Sequence, residues 1–328
     1  MRKPGIILAA AGALFLFACR PAGPLLYTIG YLQLLDSPTN ADVRSGFLRA
    51  LEDAGLKDGV NIRLRMANGF GDIAAVQRLA QTLADEKVDM IVAVSTPGLQ
   101  AALMATRTIP IVFTSVANPY LTRAGISPAE HQANVTGIAS TAPIRQGLEL
   151  IRETLPSARR VGTLWSPSER NSEYYLELAR AAAADLGFEI VAVPVANPSE
   201  ILLSAERLVT KKIDVLYPIS DNVINASFET LGKVADENGI PLIGGFLLST
   251  RSGASAAVGW DFDDMGYRSG KLAIRIKNGE SPARIPFQAM SDVKVSLNVE
   301  AASRQGITFP PAVLKRAGEP GAAGNGRD

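Results

Sequence analysis

The sequence predicts an α/β protein with two Rossmann-like lobes, parallel sheets, a hinge and an interlobe cleft. Apolar runs of strand length alternate with amphipathic helical stretches, a pattern typical of parallel sheets covered by helices on both faces. The second half also repeats the first, because three apolar runs recur in the same order. The paired runs begin at Ile29 and Val161, Asp89 and Asp214, and Ile109 and Ile240. Such a cleft is where small molecules bind.

Lobe one is predicted to comprise residues 27–137 and about 258–283. One helical stretch places Val43, Phe47 and Leu51 on a single face, and Asp72 is a plausible N-cap for a second helix. The run at 90–94 is continuously apolar, as expected for a strand covered on both faces. In chain order the predicted elements are strand 27–35, helix 40–54, strand 60–66, helix 73–86, strand 90–94, helix 97–106 and strand 111–114.

Lobe two is predicted to comprise residues 138–257 and about 284–312. Gly187 marks the end of one of its helices. The run at 293–297 has the pattern of a strand that could join either sheet. In chain order the other predicted elements are helix 143–155, strand 160–165, helix 172–186, strand 189–193, helix 199–210, strand 214–218, helix 222–238 and strand 241–244.

The N-terminus has the features of an export signal. Arg2 and Lys3 precede an apolar run at 5–17, which is shorter than the ~18–20 residues that cross a bilayer. Cys19 is the only cysteine and ends Leu16-Phe17-Ala18-Cys19, which resembles a bacterial lipobox. We predict export to the periplasm or cell envelope, with a lipid on Cys19 as the only membrane contact. An ordinary cleaved signal and an uncleaved anchor are the alternatives.

Length, charge and the chain ends complete this outline. The 328 residues suffice for two ordinary domains, and we expect a monomer. The 33 basic and 32 acidic residues leave a net charge of +1, which argues against nucleic acid as a partner. Residues 20–26 are predicted to form a tether after the signal at 1–19, and residues 313–328 a disordered tail.

Ligands of parallel sheets bind beyond the carboxyl ends of the strands, which selects the candidate site residues. Ser95 and Thr96 stand where a helix starts, so hydroxyls and free N–H groups can converge on a carboxylate. Asp221 either pairs with a ligand ammonium or hydroxyl or caps the following helix. Phe246 is a candidate for stacking on a flat ligand, and Asp261 lies at the candidate hinge. The remaining candidates are Gln33, Asp36, Pro97, Ser115, Asn171, Ser172, Ser220 and Asn222.

The sequence argues against catalysis, a cofactor and a metal. His131 is the only histidine, and no Gly-x-Ser-x-Gly elbow or Gly-x-x-x-x-Gly-Lys-Ser/Thr loop occurs. The stretch at 69–74 fits a dinucleotide fingerprint but follows the second strand rather than the first, so we interpret it as a turn. We therefore predict a non-enzymatic protein without a cofactor or metal site.

An ordered set of segments resembles the solute-binding protein family of ABC importers that includes tryptophan- and tyrosine-binding lipoproteins. The set includes Ile29-Gly30-Tyr31-Leu32-Gln33 and Ser220-Asp221-Asn222, and extends over most of residues 27–310. The other matching segments are 88–97, 109–113, 134–137, 155–162 and 266–270.

The resemblance implies a type I periplasmic-binding-protein architecture and no catalysis. It implies a small polar or aromatic, amino-acid-like ligand, delivered to an ABC permease that a separate ATPase powers. In the family, the segments that match 95–97, Ser115, 171–172 and 221–222 line the cleft. Two positions depart from the family: Asp36-Ser37-Pro38 stands where relatives often carry Glu-His-Pro, and Phe246 where many carry Asp.

Two other functions share parts of this pattern. A ligand sensor that feeds a signalling kinase has the same fold, and genomic neighbours would distinguish it from an importer component. A secreted α/β enzyme is disfavoured, because it needs a nucleophile and a base and the chain has a single histidine.

Overall fold

The computed structural model describes residues 26–317. The strands are β1 (Tyr27–Gln33), β2 (Ile62–Asn68), β3 (Met90–Val94), β4 (Ile111–Val116), β5 (Val135–Ala139), β6 (Arg160–Trp165), β7 (Glu189–Pro194), β8 (Val215–Leu216), β9 (Ile243–Gly244), β10 (Ala256–Gly259), β11 (Gln288–Ala289) and β12 (Lys294–Leu297). The α-helices are α1 (Pro38–Asp53), α2 (Ile73–Asp85), α3 (Ser95–Ala105), α4 (Ile144–Thr154), α5 (Arg170–Leu186), α6 (Ile201–Thr210), α7 (Asn222–Ala226), α8 (Phe228–Asn238), α9 (Phe262–Lys277), α10 (Val299–Arg304) and α11 (Pro311–Ala317).

The sheet of lobe one has the order β11-β5-β4-β3-β1-β2, and every pairing in it is parallel. All five residues of β3 are buried because helices cover both faces of the sheet. Val76 of α2 and Leu99 of α3 belong to the core on one face. Phe47 of α1 and Met265 of α9 belong to the core on the other face.

Helices α1 and α9 pack closely through glycine. A Cβ atom on Gly46 would lie 1.9 Å from the carbonyl oxygen of Asp263, and one on Gly266 would lie 2.0 Å from the carbonyl oxygen of Val43. No larger residue fits at either position without moving a helix backbone. The glycines in the segment 266–270 thus allow α9 to cover the core of lobe one.

The sheet of lobe two follows the same plan in two three-stranded parts, β7-β6-β8 and β12-β10-β9. A bridge between Leu216 and Leu242 joins the parts, which gives the order β7-β6-β8-β9-β10-β12. Pro218, which has no N–H, follows the short strand β8. The structure pairs β12 antiparallel with β10, and so assigns the ambiguous run at 293–297 to lobe two.

The chain crosses between the lobes after β5, before α9 and after β11. Because β11 pairs with β5, the last crossing lies between Ala289 and Lys294, later than the expected end of the lobe-one segment near residue 283. The single helix expected at 222–238 is divided at Ser227, whose backbone angles of φ −125° and ψ 22° interrupt the helix between α7 and α8. Of the predicted signal, lipobox and tether, residues 1–25 lie outside the described residues, and so do residues 318–328 of the predicted tail. Residues 313–317 of that tail are not disordered but end α11, because Val313 packs into the core of lobe two.

Within residues 26–317, no helix combines the length and the apolar character that a membrane span requires.

Candidate ligand-binding site

A polar cavity lies between the two lobes, where the carboxyl ends of their parallel strands meet. The cavity has a volume of about 40 Å³, and its lining combines residues of both lobes. Lobe one and its crossover contribute Thr39, Asn40, Ser95, Ser115, Ala117, Ser140 and Ala142; lobe two contributes Asn171, Tyr175, Ser220, Asp221, Asn222, Asn225 and Gly245; the segment returning to lobe one contributes Trp260 and Phe262.

The wall from lobe one carries hydroxyl groups that no other described residue satisfies. The side-chain oxygens of Ser95, Thr96 and Thr114 are buried without a hydrogen-bond partner within residues 26–317. Helix α3 begins at Ser95, and its N-cap Val94 has no side-chain oxygen to accept from the first-turn N–H groups. Hydroxyl and N–H donors at a helix N-terminus together favour an anionic group of a ligand.

Two residues of this wall have an unusual backbone. Ser95 has φ 68° and Ser115 has φ 57°, so both lie in the left-handed region that non-glycine residues rarely adopt. Strained conformations of this kind cluster at binding sites, where the surrounding fold enforces them. Both residues line the cavity, as the sequence analysis expected of them.

The wall from lobe two is built around Asp221, which caps α7. Its Oδ1 accepts a hydrogen bond from the Ile224 N–H at 2.8 Å, and its Oδ2 accepts from the Ser172 hydroxyl at 2.7 Å and the Ser166 N–H at 3.1 Å. The residue is 2% exposed. Of the two roles predicted for Asp221, the structure shows the cap, and it also places Asp221 in the cavity lining.

A second buried carboxyl, Glu169, lies beneath the same wall. Its Oε2 accepts from the side-chain amides of Asn222 and Asn171, the latter at 3.1 Å, and the Val223 N–H lies 3.4 Å from its Oε1. Glu169 is 1% exposed. The sequence analysis missed it, although it follows β6 by four residues and the strand-end rule that selected Asn171 applies to it equally.

Burial dominates the electrostatics of these two carboxyls. It raises the pKa of Asp221 to about 8, and the negative charge of Glu169 adds to that increase. Burial likewise raises the pKa of Glu169, against the hydrogen bonds from Asn222, Asn171 and Val223 that lower it. Desolvation penalises the charged form of each acid, so at neutral pH the pair favours binding a proton or a cation.

Contacts beside the cavity hold the lobes together. The Trp260 Nε1–H donates to the carbonyl oxygen of Thr141 at 3.1 Å, and the Tyr175 hydroxyl donates to the carbonyl oxygen of Ser140 at 3.0 Å. Ala226 of α7 packs against the core of lobe one, and α3 contacts α5 across the lobes. The lobes therefore touch on either side of the cavity.

Six of the predicted site residues line this cavity: Ser95, Ser115, Asn171, Ser220, Asp221 and Asn222. Gln33 and Asp36 line a separate groove at the β2 edge, where the side chains of Gln33, Asn68 and Arg44 all donate to Asp36. These hydrogen bonds hold the Asp36 side chain in the groove, outside the cavity.

The other predicted residues surround the cavity without lining it. Thr96 and Pro97 are buried in the first turn of α3, and Ser172 is buried beneath Asp221. Phe246 packs edge-on against Phe228 in the core of lobe two, because its side chain turns into the lobe. Asp261 caps α9 and pairs with Lys294 at 3.1 Å, in the segments that cross between the lobes.

Ten further lining residues are not among the predicted site residues, and four of them show why they were missed. Thr39 and Asn40 open α1 directly after β1, so the strand-end rule could have found them. Tyr175 and Asn225 lie one turn inside their helices, where nothing in the sequence separates a cavity residue from a core residue. A helical position fixes a residue's face only once the packing of that helix is known.

This fold and this cavity are those of a type I periplasmic binding protein, a two-lobed receptor for small molecules. The chain belongs to the ABC transporter substrate-binding protein family, whose sequence profile matches residues 28–320. A tyrosine-binding protein from Clostridioides difficile is 36% identical over 270 residues, covering 82% of this chain and 78% of that protein.

Solved structures support the same assignment. A domain complexed with L-Trp from Streptococcus pneumoniae has a TM-score of 0.84 at 28% identity and covers 90% of this chain and 99% of its own. A conserved domain protein from Vibrio cholerae has a TM-score of 0.86 at 29% identity, covering 89% and 99%. The ligand-free, open structure of a substrate-binding protein with adhesive properties from Clostridium difficile has a TM-score of 0.65 at 33% identity, covering 87% and 97%.

Proposed function

We propose that this protein is the substrate-binding component of an ABC importer and that it captures an aromatic amino acid between its lobes. The observation that carries the proposal is the cavity itself, in which the unpartnered Ser95 hydroxyl from lobe one opposes amide groups and the buried acid Asp221 from lobe two. Tyr175, Trp260 and Phe262 give the lining the aromatic surface that an aromatic side chain needs. The relatives described as tyrosine-binding and as complexed with L-Trp support this ligand class.

The similarity to solved structures supports a closed arrangement of the lobes. The chain superimposes better on the L-Trp complex, at 28% identity, than on the ligand-free, open structure, at 33% identity. A closed arrangement of the lobes in this chain would account for the lower TM-score with the open structure. The contact between Ala226 and the core of lobe one agrees with closure, in which a ligand that bridges both lobes favours the closed state.

The proposed transport role also involves a permease, an ATPase and a location at the membrane. We propose that the closed, loaded protein is recognised by a membrane permease and that a separate ATPase drives release. Cys19 is proposed to carry the lipid that holds the exported protein at the membrane. The protein itself is proposed to bind its ligand without altering it.

Isothermal titration calorimetry tests the ligand class. L-Tyrosine and L-tryptophan are expected to bind with micromolar or better affinity, because a few hydrogen bonds to charged groups contribute about 1.5–3 kcal/mol each. Aspartate, lysine and glucose serve as controls and are expected to bind at least about a hundredfold more weakly. Binding of glucose but of no amino acid would contradict the proposal, and so would chemical conversion of any bound amino acid.

A further inference from the structure

We propose that Glu169 is a positioning residue that makes lobe two select an amine. On this proposal, Glu169 holds the side-chain amide of Asn171 so that its oxygen is left for a ligand ammonium, and Glu169 and Asp221 together supply the charge that an ammonium balances. The proposal rests on the proposed function above and extends it by assigning the orientation of the ligand.

The first observation concerns two amide oxygens. The Oδ1 atoms of Asn171 and Asn225 are buried and have no hydrogen-bond donor within residues 26–317, and both residues line the cavity. Their nitrogens are already committed, since the Asn225 Nδ2 donates to the Ser220 hydroxyl at 3.1 Å and the Asn171 Nδ2 donates to Glu169. Two acceptor oxygens of lobe two at the cavity therefore lack a hydrogen-bond donor, and the N–H groups of a ligand would supply the donors.

Glu169 fixes which end of the Asn171 amide is left over. The oxygen and nitrogen of an amide are distinguished by their partners, and the Oε2 atom of Glu169 is the acceptor for both amides. Glu169 thus binds the Nδ2 groups of Asn171 and Asn222 and leaves the Asn171 oxygen without a partner. A carboxamide at position 169 has both a donor and an acceptor, so it would permit either amide to turn over.

The second observation concerns charge. The hydrogen bonds to Glu169 and Asp221 come from hydroxyl, amide and backbone groups, and no Lys or Arg contributes to the pKa of either carboxyl. A buried carboxylate without a counter-ion is costly, and an opposite charge nearby removes much of that cost. The elements packed against the pair also carry titratable or charged side chains, among them Arg170 and Glu173, both exposed, Tyr175, Glu200, Asp42 and Arg44. None of these side chains hydrogen-bonds to either carboxyl.

A ligand ammonium is the cation that this wall lacks. The opposite wall favours an anion, because Ser95 and the N-terminus of α3 offer donors. A free amino acid carries both charges, so it is oriented with its carboxylate toward lobe one and its ammonium toward lobe two. Because the pKa values of Asp221 and Glu169 are raised, we expect ammonium binding to displace protons from the pair.

The test compares each amino acid with its deaminated analogue by calorimetry at about pH 7.5. L-Tyrosine is paired with hydroxyphenylpropionate and L-tryptophan with indolepropionate, in wild-type protein, Glu169→Gln and the exposed control Glu173→Gln. Wild type and the control are expected to prefer the amino acid at least about tenfold, the contribution of one charged hydrogen bond. Glu169→Gln is expected to reduce the preference to about threefold or less by weakening only the amino acid.

Proton exchange provides a readout that a merely structural role would not change. Titrations in buffers of different ionisation enthalpy are expected to show proton release when the amino acid binds and none when the analogue binds. Affinity for the amino acid is expected to increase between about pH 6 and about pH 8, because deprotonation of the pair favours the ammonium. If Glu169→Gln fails to fold, two measurements on wild-type protein test the proposal: the affinity of each amino acid against its analogue, and the number of protons released on binding.

The outcomes separate this proposal from the one on which it rests. Equal affinity for amino acid and analogue in the wild type, or an unchanged preference in Glu169→Gln, overturns the amine-selecting role and leaves amino-acid binding intact. Failure of the wild type to bind either amino acid overturns the proposed function, and the orientation assigned here is then overturned with it.

Discussion

The two lobes share one strand order but treat the polar groups at their strand ends in opposite ways. In lobe one the order is β2-β1-β3-β4-β5-β11 and in lobe two β7-β6-β8-β9-β10-β12. Lobe one leaves the hydroxyls of Ser95 and Thr114 buried without partners, whereas lobe two surrounds Asp221 with donors. Lobe one thus offers hydroxyl donors without partners, whereas lobe two offers a carboxyl held by internal hydrogen bonds beside the unpartnered amide oxygens of Asn171 and Asn225.

This difference implies that substitutions in the two walls change the stability of the ligand-free protein by different amounts. Unpartnered buried hydroxyls reduce stability, so removing one is cheap for the fold. A fully bonded carboxyl supports the structure around it, so removing it leaves several groups unsatisfied. Substitutions in lobe one are therefore expected to change mainly affinity, and substitutions in lobe two to change mainly stability.

The largest expected effect is that of Asp221→Ala. The substitution removes the N-cap of α7, leaves the Ser172 hydroxyl without its acceptor and removes one of the two acceptors of the Ser166 N–H. The free energy of unfolding, measured in urea at pH 7, is expected to fall by about 3 kcal/mol. Asp72→Ala is the matched control, because Asp72 caps α2 at the surface of lobe one, and about 1 kcal/mol is expected there. Equal losses in the two variants would remove the contrast between a buried and an exposed cap.

Ser172→Ala is expected to have the next largest effect. Its hydroxyl donates to Asp221 and accepts from the Ser166 N–H at 2.8 Å, so alanine leaves both groups one partner short. The expected loss in unfolding free energy is about 2 kcal/mol. Ser45→Ala, on the exposed face of α1, should cost less than about 0.5 kcal/mol. A loss as small as that of the control would mean that the bonds of Ser172 do not stabilise lobe two.

Ser95→Ala is expected to separate affinity from stability. Because its hydroxyl has no partner among residues 26–317, the unfolding free energy should stay within about 0.5 kcal/mol or increase. Amino-acid affinity, measured by calorimetry, should fall about tenfold through loss of a hydrogen bond to the ligand carboxylate. A drop in stability with unchanged affinity would assign Ser95 to the fold and reverse the comparison between the walls.

The last expected effect is a pH dependence of stability that originates in lobe two. Burial raises the pKa values of Glu169 and Asp221, so the folded protein binds more protons than the unfolded chain. The stabilisation from these groups is complete below the unfolded pKa values, near pH 4, and is lost as pH rises toward about 8. Without ligand, the unfolding free energy should decrease over this range, and less steeply in Glu169→Gln. An equally steep dependence in that variant would place its origin elsewhere.

The sequence was a better guide to the fold than to the site, for a physical reason. Alternating strands and helices follow from local periodicity, and the repeated runs at Ile29 and Val161 mark the first strand of each lobe. The strand-end rule also reached Ser95 and Asn171, because backbone position alone brings them to the cavity. The direction of a side chain is not local: Phe246 turns into the core and Asp36 toward Asn68.

Glu169 shows why the rest could not be predicted. Its burial depends on donors from two separate segments, Asn171 in α5 and the Asn222 and Val223 pair in α7. Nothing in the sequence of the loop after β6 distinguishes a buried acid from the exposed Glu173 nearby. Only the approach of α7, which tertiary packing sets, creates the environment that a carboxyl at this position needs.

The return of the chain to lobe one has a consequence for how the protein matures. Helix α9 seals the face of α1 through Gly46 and Gly266, yet it follows β6 to β10 of lobe two in the chain. Lobe one therefore cannot complete its interior while the polypeptide is still emerging, and a product ending before residue 262 would expose the apolar face around Phe47. Each lobe therefore depends on the chain beyond residue 261 to complete its core, lobe one on α9 and lobe two on β12, α10 and α11.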